Sequence, residues 1–292
     1  MKSLVVDDKF DKKKLNSFLF YNFNGLNNTT FYKALRKKDI RINHKRINAN
    51  VVISSGDLIE VYISDNLLFH CDNVLIDIVY EDNNIIVVNK PIGIEVLGEF
   101  SITSLLQKKY SHDLNIRISP CHRLDRNTSG LLLFAKNNSS LEILLKKFKN
   151  HEIKKFYICL VYGSPPKNNE ILTSYLFKDV KKSIVYISDL PKKGYKKIIT
   201  EYKLLKKYPN NTSLLEINLH TGRTHQIRAH LAHINCPIIG DGKYGINSIN
   251  KAFKSKTQKL YSYKLVFDFN TSSGILDYLS NKEFNIDYSF YI

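Results

Sequence analysis

Apolar residues recur at helical spacing twice near the start of the chain. Leu15, Phe18, Leu19 and Tyr21 predict a helix within residues 12–22, and Thr30 is placed to cap a second helix with Phe31, Ala34 and Leu35 inward and Arg36-Lys37-Lys38 at its end. The period then changes. Ile40 and Ile42 alternate with polar residues, Asn43-His44-Lys45 reads as a turn, and after Ser55-Gly56-Asp57 the stretch Leu58 to Ile63 alternates as a strand. Two short helices followed by small strands predict a compact basic module over residues 12–64, with the mixed, polar-broken stretch 65–76 as a linker.

From residue 77 the pattern is that of a larger domain. Tyr80 to Asn84 reads as a turn before the apolar strand Ile85 to Val88, which ends in Asn89-Lys90-Pro91 and Gly93. Ser101 to Tyr110 predicts a helix with Leu105 and Leu106 inward. Asn138 or Ser139 is placed to cap another, with Leu141, Leu144, Leu145 and Phe148 on its apolar face and Lys146, Lys147 and Lys149 outside. Lys155 to Val161 alternates as a strand, with Phe156, Ile158 and Leu160 on one face and Tyr157, Cys159 and Val161 on the other. Further strands are predicted at Ile198 to Leu205, Ser213 to His220 and Tyr263 to Phe269. Long strands with interposed helices predict an α+β fold: a mixed, mainly antiparallel catalytic domain over 77–292 behind the small α/β module.

Charge narrows the class of partner. The 292 residues carry 44 Lys and Arg against 27 Asp and Glu, a formal charge of +17. A surface this basic attracts polyanions, and each phosphate it neutralises releases counterions. Nucleic acid is the expected partner, although abundant Lys, Asn and Ile also suit an AT-rich genome. A hydrophobic fraction of 43%, with 18 Tyr and 16 Phe, excludes disorder as the main state. Four scattered cysteines, Cys71, Cys121, Cys159 and Cys236, form no Cys-x-x-Cys pair and suggest neither a zinc ribbon nor a disulfide framework. With no signal-peptide core or membrane-length apolar run, a cytoplasmic protein is expected, and a monomer, because no apolar stripe suggests an interface.

The densest chemistry is His122-Arg123-Leu124-Asp125-Arg126-Asn127-Thr128-Ser129-Gly130, one carboxylate between two guanidinium groups before the apolar run Leu131 to Phe134. Two further stretches join it: Lys155-Phe156-Tyr157, and His220-Thr221-Gly222-Arg223-Thr224-His225-Gln226-Ile227-Arg228, a strand end, a glycine turn and a helix start. Gly240-Asp241-Gly242-Lys243-Tyr244-Gly245 is a tight loop, but it lacks the spacing and flanks of a nucleotide-binding loop. His220, His225, His230 and His233, close to Cys236, invite a metal reading, yet no carboxylate–histidine motif of a known type is present.

Together these stretches resemble the pseudouridine synthases of the large-subunit ribosomal RNA type, the RluA family. The resemblance covers nearly the whole chain. Residues 12–64, through Phe31 to Asp39, Ile40-Arg41-Ile42-Asn43 and Gly56-Asp57, resemble the small RNA-binding domain named after the fourth protein of the small ribosomal subunit. The resemblance implies isomerisation of specific uridines in structured RNA, most of all large-subunit ribosomal RNA, with no metal or organic cofactor. It assigns Asp125 as the essential group, acting at the sugar, at the base or through a glycal. Arg223 is the expected ion-pair partner of that aspartate, and Tyr157 lies against the uracil, stacking or taking the carbon-five proton. A free phenol has a pKa of about 10, which favours stacking. Arg36, Lys37, Lys38, Arg41, Lys45 and Arg46 in the small module, with Arg123, Arg126 and Arg228 in the large one, are the expected RNA contacts. His122, His225 and Gln226 rank behind these, and Lys90-Pro91 matches a turn that supports the pocket.

The chain departs from the family pattern at Val96-Leu97-Gly98, where a His-Pro pair often stands, and at Tyr261, where a histidine is common. Two other readings compete: a non-catalytic RNA-binding ribosome-assembly factor on the same fold, and a synthase acting on transfer RNA.

Overall fold

The computed structural model describes residues 2–23, 25–63, 65–68 and 75–289, with the backbone alone at 65 and 66. The chain divides into two compact units, Met1–Leu75 and Ile76–Ile292. Part of the expected linker, residues 69–74, lies outside the described residues, as does Cys71.

The first unit contains strands β1 (Lys2–Val5), β2 (Ile40–Ile42), β3 (Lys45–Arg46) and β4 (Leu58–Val61) and helices α1 (Leu15–Asn22), α2 (Asn28–Lys37) and α3 (Asp65–Leu68). The strands form an antiparallel sheet in the order β1-β4-β2-β3. Phe18 and Leu19 from α1, Phe31 and Leu35 from α2, and Ile40, Ile59 and Val61 from the sheet share one buried core. The unit therefore reaches back to Lys2, because β1 completes the sheet beside β4. The α2 cap is Asn27, not Thr30. Its side chain accepts the Thr30 N–H at 2.9 Å and satisfies one of the free donors of the first turn.

In the second unit the strands are β5 (Asp77–Glu81), β6 (Ile85–Lys90), β7 (Ser119–Pro120), β8 (Ser129–Ala135), β9 (Ile153–Tyr162), β10 (Asn169–Asp179), β11 (Ile184–Ser188), β12 (Lys196–Tyr208), β13 (Thr212–Leu219), β14 (Leu260–Phe267) and β15 (Glu283–Asn285). The helices are α4 (Ile102–Lys109), α5 (Asn138–Lys149), α6 (Gln226–His233) and α7 (Asn247–Ala252). Among the described residues the strands make one sheet in the order β11-β10-β12-β13-β9-β14-β8-β6-β5, with β7 beside β8 and β15 beside β14. Every pairing is antiparallel except the short parallel contact of β14 with β8. All seven residues of β8 are buried, as an uncharged run in the middle of a sheet requires.

Helix α5 is turned relative to its expected face. Lys147, expected outside, is 1% exposed, and Leu145, expected inside, is 47% exposed. The Lys147 ammonium donates to Glu152 at 2.6 Å and to Thr271 Oγ1 at 2.9 Å, so a polar anchor displaces an apolar one from the buried stripe. The α5 cap is Asn137, whose side chain accepts the Ser140 N–H at 2.8 Å. Strands β10 and β11 have no clean apolar–polar alternation in the sequence, since Ile171 and Leu172, or Leu176 and Phe177, place apolar groups on both faces. Their pairing with each other and with β12 defines them. Helix α6 closes over this part of the sheet, where Ala229 packs with Leu176, Val185 and Ile198.

Candidate active site

The central motif is a loop held at both ends by β8. Cys121 N–H donates to Leu133 O at 2.9 Å, and Leu133 N–H donates back to His122 Nε2 at 3.1 Å. That bond makes Nε2 an acceptor, so the neutral ring carries its proton on Nδ1, and burial lowers its pKa to about 3. His122 is thus a strut. At the other end Thr128 N–H donates to Asp125 O at 3.0 Å, and the Thr128 hydroxyl accepts from Gln258 at 2.6 Å. Gly130 has φ of +111°, and a Cβ there would meet the Ser262 backbone at 2.2 Å, so only glycine lets β8 and β14 approach.

Lys90 braces the loop from below. Fully buried, it donates to the carbonyls of Pro91 at 2.9 Å, Ile94 at 2.8 Å and Arg126 at 3.2 Å. Burial lowers its pKa to about 8, partly offset by the Asp125 carboxylate. Arg126 faces this turn rather than the acid: its Nε donates to Gly93 O at 2.9 Å, and Gly93 N–H returns the bond to Arg126 O at 2.9 Å. Arg123 is exposed at the edge of the cavity. Among the described residues neither flanking arginine forms an ion pair with Asp125.

The ion pair is made by Arg228. Its Nη1 donates to Asp125 Oδ2 at 2.9 Å, while Nε and Nη2 donate to the two oxygens of the fully buried Asp241 at 2.6 and 2.9 Å. The partner of Asp125 is thus Arg228 and not Arg223 as expected, and Arg228, expected among the RNA contacts, sits between two carboxylates. Arg223 lies in the exposed turn before α6, whereas Arg228 is one turn into the helix, where a long side chain leans toward the N-terminus and so toward the loop. Burial works against the guanidinium charge, but the two carboxylates outweigh it and raise the Arg228 pKa. For Asp241 burial is likewise outweighed, by Arg228 and by the N–H groups of Lys243 and Tyr244, and its pKa falls. An arginine among the buried positions Ile227, Ala229 and Leu231 needs an acid, and the aspartate between Gly240 and Gly242 was the signal that could have found this partner.

Tyr157 reaches the same cavity from β9. It is 3% exposed, and burial pushes its phenol well above the ordinary range, with the Asp125 charge acting in the same direction. A phenol so placed resists ionisation. His225, the residue before α6, adopts a left-handed backbone with φ of +54°. Its Nδ1 lies 2.9 Å from the Tyr244 hydroxyl and its Nε2 lies 3.9 Å from Asp125 Oδ2. Val185 N–H already donates to Tyr244 Oη at 2.8 Å, which leaves the tyrosine proton for His225 Nδ1 and directs the imidazole proton from Nε2 toward the acid. Burial lowers the His225 pKa to about 4, with Arg228 and Lys243 adding to it and Asp125 opposing. Gln226 braces the turn: it accepts from Thr221 Oγ1 at 2.9 Å and from Arg223 N–H at 3.1 Å, and donates to Thr200 Oγ1 at 3.0 Å.

These groups wall a cavity of about 490 Å³, room for a nucleotide, with Asp125, Tyr157, Lys155, Arg223, His225 and Arg228 on its lining. The histidines of the metal reading go to separate partners, His220 to Glu201, His225 to Tyr244, His230 to Thr200 and Ser174, and His233 to Asp189. Among the described residues no group of three or more His, Cys, Asp or Glu is placed to hold a metal ion, and no helix is long and apolar enough to cross a membrane. In the first unit Arg36, Lys37, Lys38, Lys45 and Arg46 are exposed, and the half-buried Arg41 guanidinium lies 4.7 Å from the Tyr62 ring centre.

Residues 84–233 match the family of RNA pseudouridylate synthases. The chain is 34% identical over 268 residues to the ribosomal large subunit pseudouridine synthase C of Buchnera aphidicola subsp. Baizongia pistaciae (strain Bp), covering 87% of this chain and 84% of that one. It is 38% identical over 234 residues to the protein of the same name from Rickettsia bellii (strain RML369-C), covering 73% and 76%. Among solved structures, the human RNA pseudouridylate synthase domain containing 4 shares the fold, with a TM-score of 0.59 at 21% identity over 74% of this chain and 90% of that one.

Proposed function

This chain belongs to the RNA pseudouridylate synthase family, as a member of the RluA type, and from that premise we propose that Asp125 is its essential catalytic group and that its substrate is large-subunit ribosomal RNA. The reaction is an isomerisation: the bond from uracil N1 to ribose C1′ breaks, the base turns, C1′ bonds to C5, the C5 hydrogen leaves as a proton and N1 ends carrying one. A stacked base is out of reach, so the uridine is flipped into the cavity at a cost of about a few kcal/mol. Asp125 supplies the negative charge that an electron-poor C1′ requires. Arg228, clamped by Asp241, orients that carboxylate through Oδ2 alone and does not take its second oxygen. Tyr157 stacks on the uracil, a role favoured by its reluctance to ionise.

The names of the relatives support the ribosomal target. The first unit is read as an RNA-binding module that docks structured RNA through Arg36, Lys37, Lys38, Arg41, Lys45 and Arg46. In β2 and β3, Arg41 and Arg46 are direct cross-strand partners, a like-charge pair that an anionic ligand would relieve. One observation carries the proposal: an aspartate facing a nucleotide-sized cavity, held by an arginine that is itself fixed by a buried acid. The test is Asp125→Asn, which abolishes pseudouridine formation while RNA binding persists. Carbodiimide labelling and reverse transcription in a deletion strain identify the uridine. Full activity in the Asn variant would overturn the assignment.

A further inference from the structure

Of the lysines and arginines on the cavity lining that the proposed reaction leaves unused, Arg123, Lys149 and Arg223 are exposed and Lys155 is not. Lys155 stands two residues before Tyr157 on the same face of β9, and its ammonium lines the cavity. Among the described residues no carboxylate pairs with it; the centre of the Phe148 ring lies 5.3 Å from its ammonium, and Gly222 lies beside it. A cation withdrawn from water with no acid beside it is costly, and burial lowers its pKa to about 8.

The second observation is Gly222. Its backbone is not in the left-handed region, so no turn geometry demands glycine there. A Cβ at this position would lie 3.3 Å from Lys155 Nζ, tighter than ordinary contact. The missing side chain leaves the ammonium room and opens the backbone to a ligand. Side chains two apart on a strand are separated by about 7 Å, close to the span from a nucleobase to its phosphate.

We propose that Lys155 and the Gly222 backbone form a subsite for an RNA backbone phosphate bordering the flipped uridine. This rests on the reading of Tyr157 as the platform for the uracil. Bound there, the phosphate supplies the anion that Lys155 lacks, and the flipped nucleotide is held at both ends.

The test uses the full-length protein and a stem–loop RNA carrying the mapped uridine. Lys155→Met raises the dissociation constant roughly tenfold. It also lowers the slope of log affinity against log salt by about 0.7–1, the signature of one lost phosphate contact. Lys155→Arg keeps most of the affinity. Gly222→Ala, which needs no backbone change, weakens binding in the same direction. A neutral methylphosphonate at one of the two phosphates bordering the uridine weakens wild-type binding as much as Lys155→Met does, and weakens the Met variant no further. In turnover the loss falls on KM rather than kcat. An unchanged salt slope in Lys155→Met, or methylphosphonate losses equal in both proteins, overturns the subsite. These constants are measured in the Asp125→Asn background, which binds RNA without converting it, so failure of the enzyme reading is separate: it appears as wild-type protein that binds the stem–loop but forms no pseudouridine.

Discussion

Arg228 donates to Asp125 at 2.9 Å through Nη1, while its two remaining guanidinium nitrogens, Nε and Nη2, are taken by Asp241. The acid that faces the cavity is therefore aimed by an acid that never sees it. Planar, bidentate clamping is something only arginine provides at this position.

Asp241→Asn breaks the clamp without touching the cavity. The expected result is a fall in kcat of about 10²-fold. Stability falls as well, by about 3–5 kcal/mol, because a buried guanidinium loses a partner. Single-turnover rates and a denaturant melt check the two parts. Arg228→Lys keeps the charge and loses the fork, and shows the same fall in kcat.

Tyr157 distinguishes stacking from base catalysis. Stacking of a base on an aromatic ring is worth about 1–3 kcal/mol, so Tyr157→Phe stays within about tenfold of wild type and Tyr157→Ala loses about 10–100-fold or more. A Phe variant as inactive as Asp125→Asn would make the phenol the proton acceptor instead.

His230 gives the pH dependence of stability. It is 1% exposed between Thr200 and Ser174, and burial, with His233 adding to it, lowers its pKa to about 4. Between about 6.5 and 4 the unfolded chain holds a proton that the folded chain does not. The contribution is complete above 6.5 and shrinks as pH falls toward 4, by an amount on the order of 2–3 kcal/mol. Melting temperatures across this range fall for the wild type, and the slope flattens in His230→Gln.

The small unit is tested by Arg41→Ala with Arg46→Ala. Affinity for structured RNA falls and the salt slope drops by about 1–2. The melting temperature changes little, since relief of a like-charge cross-strand pair is offset by loss of the Arg41 contact with the Tyr62 ring. A filter-binding titration at several salt concentrations and a thermal melt decide it.

Much of the fold is legible in local pattern. The apolar run at Leu131 to Phe134, the alternation from Lys155 to Val161 and the inward stripe of Phe31, Ala34 and Leu35 each carry their own period. The pattern is silent at β1, β10 and β11, whose apolar residues fall on both faces or in too short a run, so that pairing of β1 with β4, of β10 with β12 and of β11 with β10 makes them strands. It misleads at Lys147, because a residue's polarity does not reveal that Glu152 and Thr271 wait for it inside.

The sequence by itself determined the chemistry available: one acid in a loop poised on a buried strand, a tyrosine on a neighbouring strand, a turn and helix rich in cations, and a charge of +17 that calls for a polyanion. Only the tertiary structure decided which cation serves which purpose. Arg123, Arg126, Arg223 and Arg228 are alike as residues and near one another in the motifs, yet one is aimed at Asp125, one ties down Gly93 and two stay exposed. The choice is made by burial and by partners outside each motif, 13, 33 and 103 residues away in the chain. Local pattern records the period of a helix or strand but not which distant carboxylate lies within three ångströms of it.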